Sequence, residues 1–162
     1  MNYGALTKHA DYPFRVSVVV EQPRGLETRM GYDVAKGGFY RTESRHLLFV
    51  RGFTGVYGWI AGTGVPPAPH WDILLFTEQE VPLGGCIDGN ICGVFYRADG
   101  DHKFVAVDDA LRACMTAADI AALPPDKHRE LLALYPKVGD GEGWRTAEEA
   151  RRILSKIEPL HD

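Results

Sequence analysis

Asp99, Asp101 and Lys103 stand two residues apart at the end of an apolar run. If the chain from Tyr96 to Val107 is mostly extended, these three side chains share one face while His102 and Phe104 take the other. Two carboxylates and an ammonium on one face can hold a hard cation and a phosphate oxygen together, because Mg²⁺ favours oxygen ligands shared with substrate phosphate. The alternative is a polar hairpin turn from Ala98 to Asp101, in which Asp and Gly serve turn geometry. Glu21 ends a strongly apolar segment and Asp72 begins another, positions where a carboxylate is more often solvated than functional. Arg29, Arg45 and Arg51 fall on neighbouring candidate strands. There they either form an anion site, since a guanidinium grips phosphate through two donors, or cover a solvated outer face. His70 lies in a proline-rich stretch and reads as an exposed loop histidine.

These residues need a scaffold, and 162 residues provide one domain with enough chain to bury a core without disulfides. A composition of 45% hydrophobic and 25% charged residues excludes disordered, collagen-like and coiled-coil classes. The net charge of −4 disfavours affinity that rests on neutralising nucleic-acid phosphates or anionic lipid. Charge is unevenly spread, with eight Lys/Arg before Gly52 and none between Gly52 and Tyr96. Gly52 to Trp71 lacks any Asp, Glu, Lys or Arg, but its glycines and Pro66, Pro67 and Pro69 would break a membrane-spanning helix. The N-terminus carries no signal-like apolar region, and Cys86, Cys92 and Cys114 form no C-x-x-C pair. They read as buried apolar thiols of a cytoplasmic protein.

The pattern predicts strands at Phe14 to Glu21, Arg29 to Asp33, Gly38 to Arg41, His46 to Arg51, Asp72 to Thr77, Gly85 to Tyr96 with a bulge at Gly89, and His102 to Val107. After Asp108, Ala and Leu dominate. Pro124 and Pro125 suit the first turn of a helix through Leu134, and Thr146-Ala-Glu-Glu149 has the spacing of a capping box opening a helix to Ile157. Many short strands followed by two longer helices predict an α+β chain, a small barrel with helices packed outside, in one domain over 1–162.

Taken in order, the segments resemble the soluble inorganic pyrophosphatase family from Phe14 to Ile157. Val20-Glu-Gln-Pro-Arg-Gly25 through Arg29-Met-Gly-Tyr-Asp33 is similar to its V-E-I-P-K-G…K-Y-E-Y-D. Tyr57-Gly-Trp-Ile60 with Gly62-Thr63 resembles Y-G-F-I-P-G-T, and Asp72-Ile-Leu-Leu-Phe-Thr77 resembles D-V-L-V-L-T. Gly93-Val94, Asp99, Asp101-His-Lys103 and Val105-Ala-Val107 are similar to G-V-L-K-M-x-D…D-x-K-x-x-A-V. Leu123-Pro-Pro125, Glu142-Gly-Trp144 and Ala147-Glu-Glu-Ala150 match its L-P-P and E-G-W-x-x-A-E-x-A landmarks. The resemblance implies an OB-like five-stranded β-barrel with two main flanking helices in the C-terminal third. It implies hydrolysis of pyrophosphate with Mg²⁺, or Mn²⁺ in its place. It further implies that Glu21, Asp72, Asp99 and Asp101 bind metal, and that Arg29, Arg45, Tyr57, Lys103 and Tyr135 contact substrate. The implied partner is pyrophosphate or another phosphate-containing small molecule, with neither nucleic acid nor membrane, and a homo-oligomer is compatible with it.

The pattern also departs from the family at identifiable places. Where the family has D-x-D-P-x-D, this chain reads Pro67-Ala-Pro-His-Trp-Asp72, so Pro67 and Pro69 replace a metal-binding aspartate and the general base. Gly31 and Phe53 replace a Glu and a Tyr, and Pro136 stands where a Lys is expected, with Lys137 beside it. General-base action is typically worth about 10²–10⁴ in rate, so its loss leaves weak or altered hydrolysis while ground-state binding can persist. The readings are a divergent pyrophosphatase of weak activity, or an inactive relative that binds phosphate, a nucleotide or a protein partner. A third is a barrel stacking single-stranded nucleic acid on Phe53, Tyr57 and Trp59, which the charge distribution disfavours.

Overall fold

The computed structural model describes residues 1–160. Eight strands and four α-helices follow a short 3₁₀ turn at Tyr3–Ala5: β1 Arg15–Gln22, β2 Thr28–Asp33, β3 Gly38–Arg45, α1 Leu47–Val50, β4 Val56–Ile60, β5 Asp72–Phe76, β6 Cys86–Tyr96, β7 Lys103–Val107, α2 Asp109–Arg112, α3 Pro125–Leu134, β8 Gly143–Thr146 and α4 Ala147–Lys156. The main sheet runs β1-β4-β5-β7-β6-β8, and β1 also pairs with β6. That pairing closes five strands into an OB-like barrel and leaves β8 outside on β6. Among the described strands only β5 and β7 run parallel, with Asp72 opposite Lys103.

The apolar pattern explains the closure. Val16, Val18 and Val20 alternate inward from β1 and meet Ile73, Leu75 and Phe104 inside the barrel, which Ala150, Ile153 and Leu154 of α4 close from one side. The intervening Leu74, Phe76, Val105 and Val107 face outward and are covered by Leu131 and Leu134 of α3. β5 is therefore buried on both faces from Asp72 to Phe76, and reads as a continuous apolar run behind its aspartate.

β2 and β3 form a separate two-stranded ribbon. It is fastened to the barrel by aromatic packing: Trp59 of β4 has its ring centre 5.6 Å from Tyr32 and 6.2 Å from Phe39, and Tyr3 adds edge contacts to all three. The ribbon matters because Arg29, Gly31 and Tyr40 ride on it.

The helix starts follow their sequence signals. Thr146 accepts the Glu149 N–H at 3.3 Å, half of a capping box, while the Glu149 carboxylate turns to Arg152 and Arg145 instead. Pro125 opens α3. Other expectations are corrected. His46 to Arg51 is not a strand but a single helical turn ended by Gly52 at φ +91°. Leu48 and Phe53 at its two ends insert into the outer core, which an extended segment following β3 would not reach. Val56–Ile60 is an additional strand, and the irregular register on β6 falls between Ile91 and Gly93, not at Gly89. Cys92 is buried, with its thiol pushed up to about 12 by burial, but Cys86 and Cys114 are exposed. Cys86 lies on the outward side of β6, where burial alternates. Among the described residues no helix is long and apolar enough to cross a membrane.

Candidate functional site

Two adjoining cavities lie between the ribbon, the ends of β1, β4 and β7, and the loop before β5. They share Glu21, Arg29, Met30, Tyr57 and Lys103. The first, about 610 Å³, adds Asp72, Asp101 and His70. The second, about 360 Å³, adds Arg45, Arg51, Arg97, His46 and Tyr135. All five residues expected to contact substrate, Arg29, Arg45, Tyr57, Lys103 and Tyr135, thus line this second cavity. Of the expected metal ligands, Glu21, Asp72 and Asp101 line the first.

Asp99 takes a different place. The segment between β6 and β7 is a turn, with the Gly100 N–H donating to the Arg97 carbonyl at 3.0 Å, and the Asp99 carboxylate accepts the Asp101 N–H at 2.9 Å. Of the two readings of this segment the polar turn is the one found, and the extended strand begins only at Lys103. The backbone reverses over Ala98 to Gly100, and His102 is tucked behind, stacked between Trp71 and Tyr96.

At the centre is Asp72, 7% exposed. One carboxylate oxygen accepts from His70 Nε2 at 2.9 Å and the other from Lys103 Nζ at 2.5 Å. Lys103 also donates to Asp101 Oδ1 at 3.1 Å. His70 is not an exposed loop residue: it is 6% exposed, and its second ring nitrogen lies 2.8 Å from the Ala68 carbonyl oxygen. With an oxygen against each nitrogen, an imidazolium satisfies both acceptors. Burial works against that charge, but the hydrogen bond and charge of Asp72 outweigh it and His70 titrates above its ordinary range. Burial likewise works against the Asp72 carboxylate, and His70 and Lys103 overcome it, holding Asp72 below its ordinary range. Trp71 faces the other way, into the barrel core, its ring centre 5.3 Å from that of Phe104.

Glu21 has the opposite bias. Burial and the neighbouring Asp72 charge push it up to about 7, although His70, Arg29 and Lys103 pull the other way. A carboxyl raised in the folded state favours folding below its ordinary value of 4.5 and loses that advantage as pH rises through about 7. Glu21→Gln is therefore expected to stabilise the protein at pH 8 by about 1–3 kcal/mol, after allowance for partial exposure, and by less at pH 5. Urea denaturation of both proteins at the two pH values checks this; an equal effect at both would refute it.

The second cavity is cationic. Arg29, Arg45, Arg51, Arg97 and Lys103 line it, with Glu21 as its acid. Arg45 pairs with Glu27, Arg51 donates to the Leu134 carbonyl at 2.7 Å, and the Arg97 guanidinium sits 5.0 Å over the Tyr135 ring. Burial and the Arg29 charge lower His46 to about 4, so it is neutral there. Burial, then nearby acids, raises Tyr57 well above its ordinary range, and burial raises Tyr135, so both keep their hydroxyl protons. Arg97 and His46 escaped the sequence reading; the Arg97 signal was its place one residue beyond an apolar strand, beside the Asp99 and Asp101 pair.

The inorganic pyrophosphatase of Sulfolobus acidocaldarius is 27% identical over 155 residues, covering 88% of both chains, and that of Gluconobacter oxydans is 23% identical over 167 residues, covering 95% of both. The chain is related to the soluble inorganic pyrophosphatases. The fold agrees: the pyrophosphatase structure from Ehrlichia chaffeensis superposes with a TM-score of 0.72 at 19% identity, over 93% of this chain and 97% of that one. The Thermus thermophilus pyrophosphatase gives 0.69 at 21% identity, over 96% and 95%. No family model matches.

For a pyrophosphatase relative the arrangement of carboxylates is unexpected. Among the described residues no three His, Cys, Asp or Glu side chains are grouped to hold one metal ion. Both Asp72 oxygens and one of Asp101 are engaged by His70 and Lys103, and Asp99 serves a turn. Mg²⁺ demands near-octahedral oxygen ligation. Of the four carboxylates expected to hold Mg²⁺, Asp72 and Asp101 are thus engaged by His70 and Lys103 in this structure, and the four are not gathered around one point.

Proposed function

We propose that this chain is a pyrophosphatase-like protein that binds pyrophosphate, or another small molecule bearing phosphate, through protein cations, and that it hydrolyses pyrophosphate weakly. The observation that carries the reading is the convergence of Arg29, Arg45, Arg51, Arg97 and Lys103 on one cavity with the two tyrosine hydroxyls. Guanidinium groups bind phosphate oxygens through paired donors, and a partly enclosed site strengthens each contact.

Weak hydrolysis follows from what the neighbouring cavity lacks. Displacement at phosphorus by metal-bound water needs metals to clamp attacking and leaving oxygens, and a group to take a proton. Pro67 has no carboxylate to offer, and the His70 ring is held at both nitrogens. Binding without any hydrolysis is a second reading, favoured by the closure of Asp72 between His70 and Lys103.

Calorimetric titration with pyrophosphate tests the site. Arg29 is exposed and without a structural bond in the fold's core, so Arg29→Ala should fold normally and bind about 10- to 100-fold more weakly, the range for losing a hydrogen-bonded charge. Absence of heat from the wild type, or undiminished affinity in the variant, would refute the assignment. Phosphate release in Mg²⁺ or Mn²⁺ separates the two readings: slow release above that of the Arg29 variant supports weak hydrolysis, and equal release supports binding alone.

A further inference from the structure

The cleft offers more than inorganic pyrophosphate can use. Its first cavity alone, at about 610 Å³, has the size of pockets that enclose organic ligands of drug-like dimensions. Its lining also divides in kind. Glu21, Asp72, Asp101, Lys103 and Arg29 supply charge, whereas Gly31, Tyr32, Tyr40, Pro66 and Pro67 supply none.

Gly31 and Tyr40 shape this neutral part together. They are direct partners in the β2–β3 ribbon. A methyl group on residue 31 would lie 2.5 Å from Tyr40 Cζ and 2.6 Å from its hydroxyl oxygen. The tyrosine ring therefore lies across the glycine backbone, a place that a side chain at 31 would deny it. Tyr40 remains 52% exposed, so its ring presents a free surface at the mouth of a charged cleft. A further cavity runs on from there along Tyr32, Phe39, Tyr40 and Pro67, with Asp33 and Lys36 also on its wall, so the aromatic surface continues beyond the first cavity.

Resting on the phosphate site proposed above, we infer that the cleft takes a nucleoside diphosphate: the phosphates lie among Arg29, Arg45 and Lys103, and the base lies against Tyr40 and Pro67. The polyphosphate satisfies the cationic cavity, and a planar ring satisfies an exposed aromatic face that an inorganic anion leaves in water. An aromatic platform beside a basic groove tolerates any base, since every base has a π-face.

The test titrates wild type and Tyr40→Ala with pyrophosphate and with adenosine diphosphate by calorimetry. Tyr40 is exposed enough for its truncation to leave the fold intact. The wild type should bind the nucleotide about ten-fold or more tightly than pyrophosphate, the factor one stacked base contributes, and the variant should lose most of that preference. Equal or weaker binding of the nucleotide, or a preference that survives in the variant, overturns the inference while the phosphate site stands. No binding of either compound overturns both.

Discussion

Replacing Asp72 by alanine is expected to cost about 3–5 kcal/mol, the range for breaking a buried ion pair by removing one partner. The replacement leaves two cations, His70 and Lys103, in a buried place without their shared acceptor; their side chains are only 5% and 12% exposed. Asp72→Asn keeps an acceptor oxygen and loses the charge, so it should cost roughly half as much. The loss has a pH signature. The depressed Asp72 contributes stability that is present above its ordinary value of 3.8 and lost as pH falls through its folded value. The raised His70 contributes stability that is present below its ordinary 6.5 and lost as pH rises through its folded value. The two overlap fully between these limits, so the gap between wild type and Asp72→Ala in urea denaturation should be widest near pH 5 and should narrow as pH rises through the folded value of His70. A gap that is small, or flat across pH, would mean that the trio does not form.

The second large effect is expected from Trp59→Ala, which joins stability to binding. Trp59 is 1% exposed and sits among Tyr3, Tyr32 and Phe39, where the ribbon meets the barrel. Truncating a buried aromatic of this size costs about 3–5 kcal/mol, which lowers the melting temperature by roughly 10 °C in a chain of this length. The deeper consequence lies in the ribbon. β2 and β3 pair with each other and not with the main sheet, so their placement depends on side-chain packing. Loss of the Trp59 anchor should free Arg29 and Tyr40 from the cleft and weaken pyrophosphate binding by an order of magnitude or more at a temperature where the barrel is still folded. Unchanged affinity in a folded Trp59→Ala protein would show that the ribbon is held by other means.

Much of the barrel was legible because its determinants are local. The alternation of Val16, Val18 and Val20 names a strand and its inward face, the uninterrupted Ile73 to Phe76 names a strand buried on both sides, and Pro125 and Thr146 mark helix starts. Order along the chain carried the rest of the fold through the family pattern. The short turn of Leu47–Val50 was misread as a strand because four apolar residues suit either state, and only the need to return from the ribbon to the barrel decides between them.

The site was legible in composition but not in pairing. The motif positions Arg29, Arg45, Tyr57, Lys103 and Tyr135 fall on one cavity because they sit at corresponding ends of strands and helices. What the spacing could not disclose is which charge meets which. His70 read as a loop residue because its partners, a carbonyl two residues back and a carboxylate two residues on, depend on the fold of a proline-rich loop. For Asp99 and Asp101 the spacing left an extended face and a polar turn both open, and Gly100 at φ +86° settles it as the turn that Asp and Gly suit. The prolines at 67 and 69 mark the same change in another way: the loop that lacks two acidic groups is the loop that delivers His70 to Asp72.

The most direct test of the account asks whether protein cations have replaced the metal in binding. Pyrophosphate is titrated calorimetrically into the wild-type protein in excess EDTA and again with Mg²⁺ present. The arrangement of His70, Lys103 and the arginines predicts binding in EDTA of an affinity similar to that measured with Mg²⁺. Binding that appears only once Mg²⁺ is supplied would contradict it, and would mean that Asp72 and Asp101 release Lys103 to ligate a metal.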